Sequence, residues 1–539
     1  MFELKKKDIS KQDLWQKANI VLPQFDIEKI ENVTYQNPVW VHFGAGNIFR
    51  GYIAAIAQDL IERGELDRGI IAAELYDYEI IDRIYKPYDN LCLVVTSDAK
   101  GNLEKKVVAS ITEGLKCDKS FEADWQRLCR IFENSSLKLV TFTITEKGYN
   151  LFDLKGDYLP AVKEDIKNGP QSPKSSMGKV AALAYVRYKS GRKPVAYVSL
   201  DNCSKNGEKL QSSIVQIAKE WAKKGLVEED FVEYLNDDSL VSFPWSMIDK
   251  IVPRPSERIK ELLEKDGLEN MDIICTSKNT YIAPFVNTEK AQYLVIEDSF
   301  PNGRPPLERA GVFMTDRKTV EDSERMKVQT CLNPLHTALA IFGCLLGYKT
   351  IYEEVKDEHL KRLIEKIGYD EGLKVVVDPK IINPREYIRE VIEERLPNPY
   401  IPDTPQRIAT DTSQKMPIRF GETIKAYTEN SDLNVKSLKY IPLVIAGWLR
   451  YLMCIDDEGR VFEPSPDPLI DELKKHLEGI ELGKKYEDLE ERLRPILTNE
   501  VIFRVDLFKV DLAQRVVEYF KEMIQGTGAV RRTLQKYVN

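Results

Sequence analysis

Up to about residue 310 the chain alternates short apolar runs with amphipathic stretches. Residues 39 to 43, "VWVHF", form an apolar run that stops at Gly44, the pattern of a buried strand entering a tight turn. The apolar positions that follow, Phe49, Ile53, Ile56 and Leu60, recur at spacings of three and four and predict a helix. "ERGELDRG" ends it, and "IIAAEL" predicts a second strand. Further runs at "LCLVVTSD", "KKVVASIT", "LKLVTFTIT", "KPVAYVSL", "MDIICTS" and "YLVIED" are partly separated by helical stretches such as "GEKLQSSIVQIAKEWAKKG". Strands alternating with helices predict an α/β domain whose mostly parallel sheet is covered on both faces.

Beyond residue 310 the period changes. Helical patterns occupy 323–348, 352–366, 384–395, 436–455, 466–478 and 505–525. With no internal repeat, heptad run or low-complexity linker, this change of texture alone divides the chain into an α/β domain, 1–310, and a mainly α-helical C-terminal domain, 311–539. The length of 539 residues and 43% hydrophobic content suffice for two cores.

"VHFGAGNIFRGY" has the start of a dinucleotide fingerprint, in which the first glycine permits the turn, the second admits the pyrophosphate and the third allows close helix packing. Gly44 and Gly46 supply the first two, and Phe49 stands at the third. Two readings fit: a plain turn ending a strand, or a phosphate cradle at a helix N-terminus in a Rossmann-type domain. In the second, Gly44, Ala45, Gly46, Asn47, Phe49 and Arg50 form the cofactor turn, with Arg50 adding positive charge for the phosphates. Glu74 and Asp77, after the second strand, are either ribose acceptors that favour NAD over NADP or solvated loop acids.

A formal charge of -8 and a pI near 5.5 argue against nucleic acid as a partner. Eight cysteines stand singly with no CxxC pair, and "MFELKKKDISKQDLW" carries no leader pattern, so a reducing, cytoplasmic setting is expected. "IPLVIAGWLRYLMCI" contains Arg450 and is shorter than the roughly 20 residues of a membrane span, which predicts a core helix and no membrane partner.

"SERMKVQTCLNPLH" places Glu324, Lys327, Asn333 and His336 within thirteen positions of one helical pattern. Alone, such a lysine reads as a solvated charge and such a histidine as a core residue. The blocks "VHFGAGNIFRGY", "TFTITEKGYN", "SLDNCSKNG", "FPWSMIDKIVP", "VIEDSFPNGRPPLERAGV", "NPYIPDTPQRIATDTSQKMP" and "AGWLRYL" change that weighting. In this order the chain resembles the long-chain mannitol dehydrogenase family from about residue 39 to beyond 450.

The resemblance implies an NAD-dependent, metal-free dehydrogenase acting on a small sugar acid or polyol. Lys327 matches the family's general base, Asn202 and Asn333 its carbonyl-polarising amides, His336 its substrate-bonding histidine and Glu324 its proton-path acid. Arg407, Lys415 and, less closely, Asp249 match substrate-binding positions. Thr145, in "TFTITEKGYN", joins the cofactor set. Such chemistry requires a lysine whose proton is loosened by burial or neighbouring cations and amide donors aimed at the developing oxyanion.

"SQKxPxR" adds Arg419, either a fork for a substrate carboxylate or the partner of a surface acid. With the first, the resemblance implies reduction of D-fructuronate to D-mannonate, with tagaturonate and fructose as the next substrates. An epimerase that retains NAD is the alternative of another class. One departure stands out: "KVQTCLN" holds one residue more between Lys327 and Asn333 than the family spacing. Each helical residue turns about 100°, so a π-type bulge between 328 and 334, beside Pro334, is expected to absorb it.

Overall fold

The computed structural model describes residues 1–539, in two compact units: Met1–Ser97 with Asn102–Glu321, and Asp98–Gly101 with Asp322–Asn539. In the first, the run before the glycine turn is strand β1 (Trp40–Phe43), followed by a π-helical turn, Phe49–Ile53, and helix α1 (Ala54–Glu62). Strands β2 (Ile70–Glu74) and β3 (Ile111–Lys116), helix α2 (Glu122–Glu133), β4 (Leu139–Phe142), α3 (Ser176–Lys189), β5 (Val195–Ser199), α4 (Asn206–Lys223) and β6 (Val241–Ser242) complete the layer structure. Every strand pair is parallel, and the order across the sheet is β3-β2-β1-β4-β5-β6. This is the Rossmann order, which reverses direction between β1 and β4 and leaves a crevice at that point.

Alternate residues of each strand feed two cores, as the period of two requires. Val41, Phe43, Ile71, Ala73, Val140 and Tyr197 pack with α2, α3 and α4 on one face. Trp40, Ile70, Ala72, Leu139, Ala196 and Val198 pack with α1 on the other. The "LCLVVTSD" run lies outside this sheet. It forms Cys92–Ser97 of a four-stranded sheet, antiparallel to Leu103–Val108 and parallel to Phe285–Glu289. Likewise "YLVIED" pairs antiparallel with Ser246–Asp249.

The second unit is helical. Helix α5 (Arg317–Arg325) runs into a π-helical segment, Met326–Cys331, then into α6 (Asn333–Leu346), and α6 packs on α7 (Tyr440–Leu452), which packs on α8 (Ala513–Met523). The stretch 317–346 has the length and apolarity of a membrane span, but 78% of its apolar window is buried inside the protein. Helix α7 is buried from Ile441 to Leu452; Arg450 is tolerated there because its guanidinium donates to the carbonyls of Met523, Ile455 and Asp456. The pattern at 505–525 overruns the helix, which starts at Ala513. Asp506 turns the chain first, accepting from the N–H groups of Phe508 and Lys509.

Candidate active site and cofactor pocket

The glycine turn is built for close approach. Gly44 has φ +103°, and a Cβ there would lie 2.2 Å from the carbonyl oxygen of Thr143, so no other residue fits. A Cβ on Gly46 would meet nothing within 4 Å: it would project into the open space in front of the turn. The third-glycine role has moved along the chain to Gly51, whose Cβ would stand 2.8 Å from Val286 Cγ1. Phe49 is fully buried and stacks on His42 with ring centroids 4.1 Å apart. Asn47 donates to the carbonyl of Tyr281.

Arg50 and Glu74 do not take the roles expected from the sequence. Arg50 is 1% exposed, its Nη2 donates to the carbonyls of Ala283 and Phe285, and it is not among the residues that line the cavity in front of the turn, so it does not face a phosphate. Glu74 is a strut: Oε2 accepts from the N–H of Ala45 at 2.7 Å, and Oε1 from the N–H groups of Tyr76 and Asp77. Its carboxyl is pushed up by burial, which outweighs those three donors.

In front of the turn lies a cavity of about 590 Å³, lined among others by Gly44, Gly46, Asp77, Thr145, Lys147 and Met177. Asp77 is buried; Oδ2 accepts from the Thr276 hydroxyl, and Oδ1 has no partner. A buried acceptor without a partner on a residue at the wall of a cavity of this size suits a ribose hydroxyl, so the turn, the cavity and Asp77 together fit a dinucleotide.

Sequence reasoning missed the support behind this wall. Asp201 accepts from the N–H of Ile144 and of Thr145, each at 2.9 Å, and from the Tyr149 hydroxyl at 2.5 Å. "SLDN" was legible as a block, but only Asn202 stood out in it. Asn202 is exposed after β5, and Asp249 is buried at the end of the strand Ser246–Asp249. Asp249 adds its charge to burial in pushing the Tyr52 hydroxyl far up.

In the second unit the expected bulge is present. The N–H of Leu332 donates to the carbonyl of Lys327 at 3.1 Å, an i to i−5 bond that adds one residue to the turn. Pro334 opens α6 at a position where no N–H is needed. Lys327 is 2% exposed; Glu324 and Asn333 are half-buried.

His336, one turn into α6, has Nε2 3.5 Å from Oδ2 of Asp403. Burial, opposed by Asp403 and assisted by Arg419, Arg407 and Arg395, lowers its pKa to about 4, so the ring is neutral at pH 7. Arg407 is an exposed residue whose fork is filled by Asp403. Lys415 donates to the carbonyl of Ile408 and is lowered to about 8 by burial and then by Arg419. Arg419 donates to the Thr337 hydroxyl, and burial lowers it to about 10.

Neither Lys415 nor Arg419 has a carboxylate within ion-pair distance, which removes the surface-acid reading of Arg419. Asp403 and Arg395 were not singled out in the sequence. The only signal was the four-residue spacing of Asp403 and Arg407.

The comparisons with known proteins agree with this architecture. The family model described as the mannitol dehydrogenase Rossmann domain matches residues 39–309, and that of the mannitol dehydrogenase C-terminal domain matches 319–524. D-mannonate oxidoreductase of Thermotoga maritima is 60% identical over 537 residues, covering 99% of each chain. A substrate-free D-sorbitol dehydrogenase superposes with a TM-score of 0.79 at 25% identity, over 96% of this chain and 98% of that one. Mannitol 2-dehydrogenase of Pseudomonas fluorescens, in a ternary complex with NAD and D-mannitol, shares the fold at TM-score 0.69 and 24% identity, over 99% of both chains. With both family models matched across most of its length, the chain belongs to the mannitol dehydrogenase family.

Proposed function

We propose that the protein is an NAD-dependent dehydrogenase that interconverts D-mannonate and D-fructuronate. The carrying observation is the pair Lys415 and Arg419, part-buried cations with no carboxylate partner. Asp411 and Asp467 act on Lys415 only at a distance, so neither cation has an anion in direct contact, and a sugar acid supplies one where a neutral polyol does not. The 60% identical relative named for D-mannonate supports the same substrate.

NADH, when bound, supplies the hydride that reduces the keto carbon. Lys327 then acts as general acid, giving its proton to the keto oxygen, and as general base in the reverse direction. The family resemblance gives Asn333, and likewise Asn202, the role of donating a carboxamide N–H to that oxygen as its charge grows, which would favour the transition state over the ground state. Neutral His336 offers one ring N–H to the substrate, and Glu324 passes the proton between Lys327 and solvent. Asp77 would accept from the adenosine ribose, and its charge would disfavour the phosphate of NADP.

A spectrophotometric panel tests this reading: NADH and NADPH, each with D-fructuronate, D-tagaturonate and D-fructose. The expected result is stoichiometric loss of NADH absorbance fastest with D-fructuronate. Turnover of fructose alone would overturn the sugar-acid assignment.

A further inference from the structure

Thr145 has φ +64° and ψ 158°. That region is almost reserved for glycine, and a β-branched residue occupies it only when its surroundings force it. The forcing group is Asp201, which holds the two successive N–H groups of Ile144 and Thr145, one on each carboxylate oxygen. Asp201 is itself fixed: Tyr149 donates to Oδ2 while sharing a hydrogen bond with Ser199 Oγ at 2.8 Å. From the other side, the Asn206 side chain donates to the Asp201 carbonyl and bonds Ser246. The strained segment is not at the surface of an arbitrary loop: Thr143, Ile144, Thr145, Lys147 and Gly148 all line the cavity in front of the glycine turn.

We propose that Asp201 is a positioning residue for the dinucleotide. Its carboxylate keeps the Ile144–Thr145 peptide in the strained conformation that shapes one wall of the cofactor cavity, and dinucleotide affinity depends on that clamp. The inference rests on the cofactor reading given above. No proton or electron moves through Asp201. It needs an ionised or at least acceptor-only carboxylate, because Asp201→Asn would present an NH₂ to one of three donors and release part of the clamp.

The clamp and the strain make a specific pair. Strain of this kind shifts an equilibrium by roughly ten- to a hundredfold, so D201N is expected to weaken NADH binding by about tenfold or more, with KM for NADH rising more than KM for the sugar acid. Thr145→Gly removes the strain, because glycine adopts this conformation at little steric cost, and in the D201N background it is expected to restore most of the lost affinity. A residue that only stabilised the fold would show no such rescue.

The experiment is an equilibrium fluorescence titration of the full-length protein with NADH, comparing wild type, D201N, T145G and the double variant. Y149F, which removes one arm of the clamp, serves as a milder parallel should D201N fold poorly, with the same rescue by T145G expected. Wild-type affinity in D201N and Y149F, or a double variant no better than D201N, overturns the inference while leaving the cofactor reading intact. A wild-type protein that does not bind NADH overturns both.

Discussion

Asp403 accepts both arms of the Arg407 guanidinium, Nε on Oδ1 at 2.6 Å and Nη2 on Oδ2 at 2.5 Å. The same Oδ2 faces Nε2 of His336. Arg407 therefore competes with the histidine for one acid, and this adds to burial and to the charge of Arg419 in holding the imidazole neutral. Replacing it, Arg407→Met, removes a nearby cation and frees the carboxylate, both of which favour the imidazolium. The His336 pKa is expected to climb from about 4 toward the ordinary 6.5. With four histidines in the chain, ring-proton NMR titration resolves it, and an unmoved value would refute the competition.

In the proposed reading Lys415 and Arg419 together hold the substrate carboxylate, and only Lys415 titrates in the working range. As pH rises through about 8, Lys415 loses its charge, so KM for D-fructuronate is expected to rise between pH 7 and 9, while Lys415→Arg flattens that rise. Arg419→Met is expected to lower kcat/KM for D-fructuronate by roughly 10- to 150-fold, the value of a charge-assisted hydrogen bond, and to shift the ratio of activities toward fructose. An unchanged ratio would refute the assignment of the carboxylate to this pair.

The π segment makes the register of Lys327 testable by deletion and insertion. Removing half-buried Gln329 takes out the residue that the bulge absorbs, so the segment returns to the ordinary helical count with Lys327 on the same face relative to α6, and kcat is expected to stay within about tenfold of wild type. Inserting one alanine after Gln329 instead rotates the part of the helix before it by about 100° relative to α6 and is expected to keep the helical circular dichroism while losing at least about a hundredfold in kcat, since misplacing a reacting group by an ångström already costs that much. Full activity in the insertion variant would mean that Lys327 is not the acid-base group.

Glu354 is fully buried over Gly343, and neither carboxylate oxygen has a partner. Burial, then the charge of Asp403, raises its pKa well above 4.5. A group raised on folding favours the folded state below its unfolded value and loses that contribution as pH rises through the folded value. Glu354→Gln is thus expected to raise Tm at pH 8 and to leave it nearly unchanged at pH 4.5. Equal effects at both pH values would show that the acid is not the cause.

Asp77 is expected to set the nucleotide preference. Asp77→Ser removes the charge that repels a ribose phosphate, and the NADH to NADPH ratio of kcat/KM should fall by about tenfold or more, as one to two kcal/mol of repulsion implies. A ratio that stays put would transfer the preference to another residue.

Much of this was legible in the chain because buried parallel strands read as unbroken apolar runs, and "VWVHF" followed by Gly44 is one of them. The extra residue after Lys327, with Pro334 beside it, likewise marks a π turn in the sequence itself. Sheet order was not legible, since β1 lies between β2 and β4 through pairings that local pattern does not encode. Arg50 was misread because the carbonyls it serves, at 283 and 285, lie more than two hundred positions away. Asp403 was missed because "NPYIPDTPQR" reads as a proline-punctuated loop, and its value lies in a histidine on another helix.

The use of Glu74 as a strut for Ala45 has a further consequence. If Asp77 sets the nucleotide preference as proposed, architecture and selectivity at the nucleotide end rest on different acids three positions apart, Glu74 closing the turn and Asp77 at the cavity wall. Mutation at the second is therefore free to drift or be engineered between the two nicotinamide currencies without unmaking the first, and such a change requires a single codon.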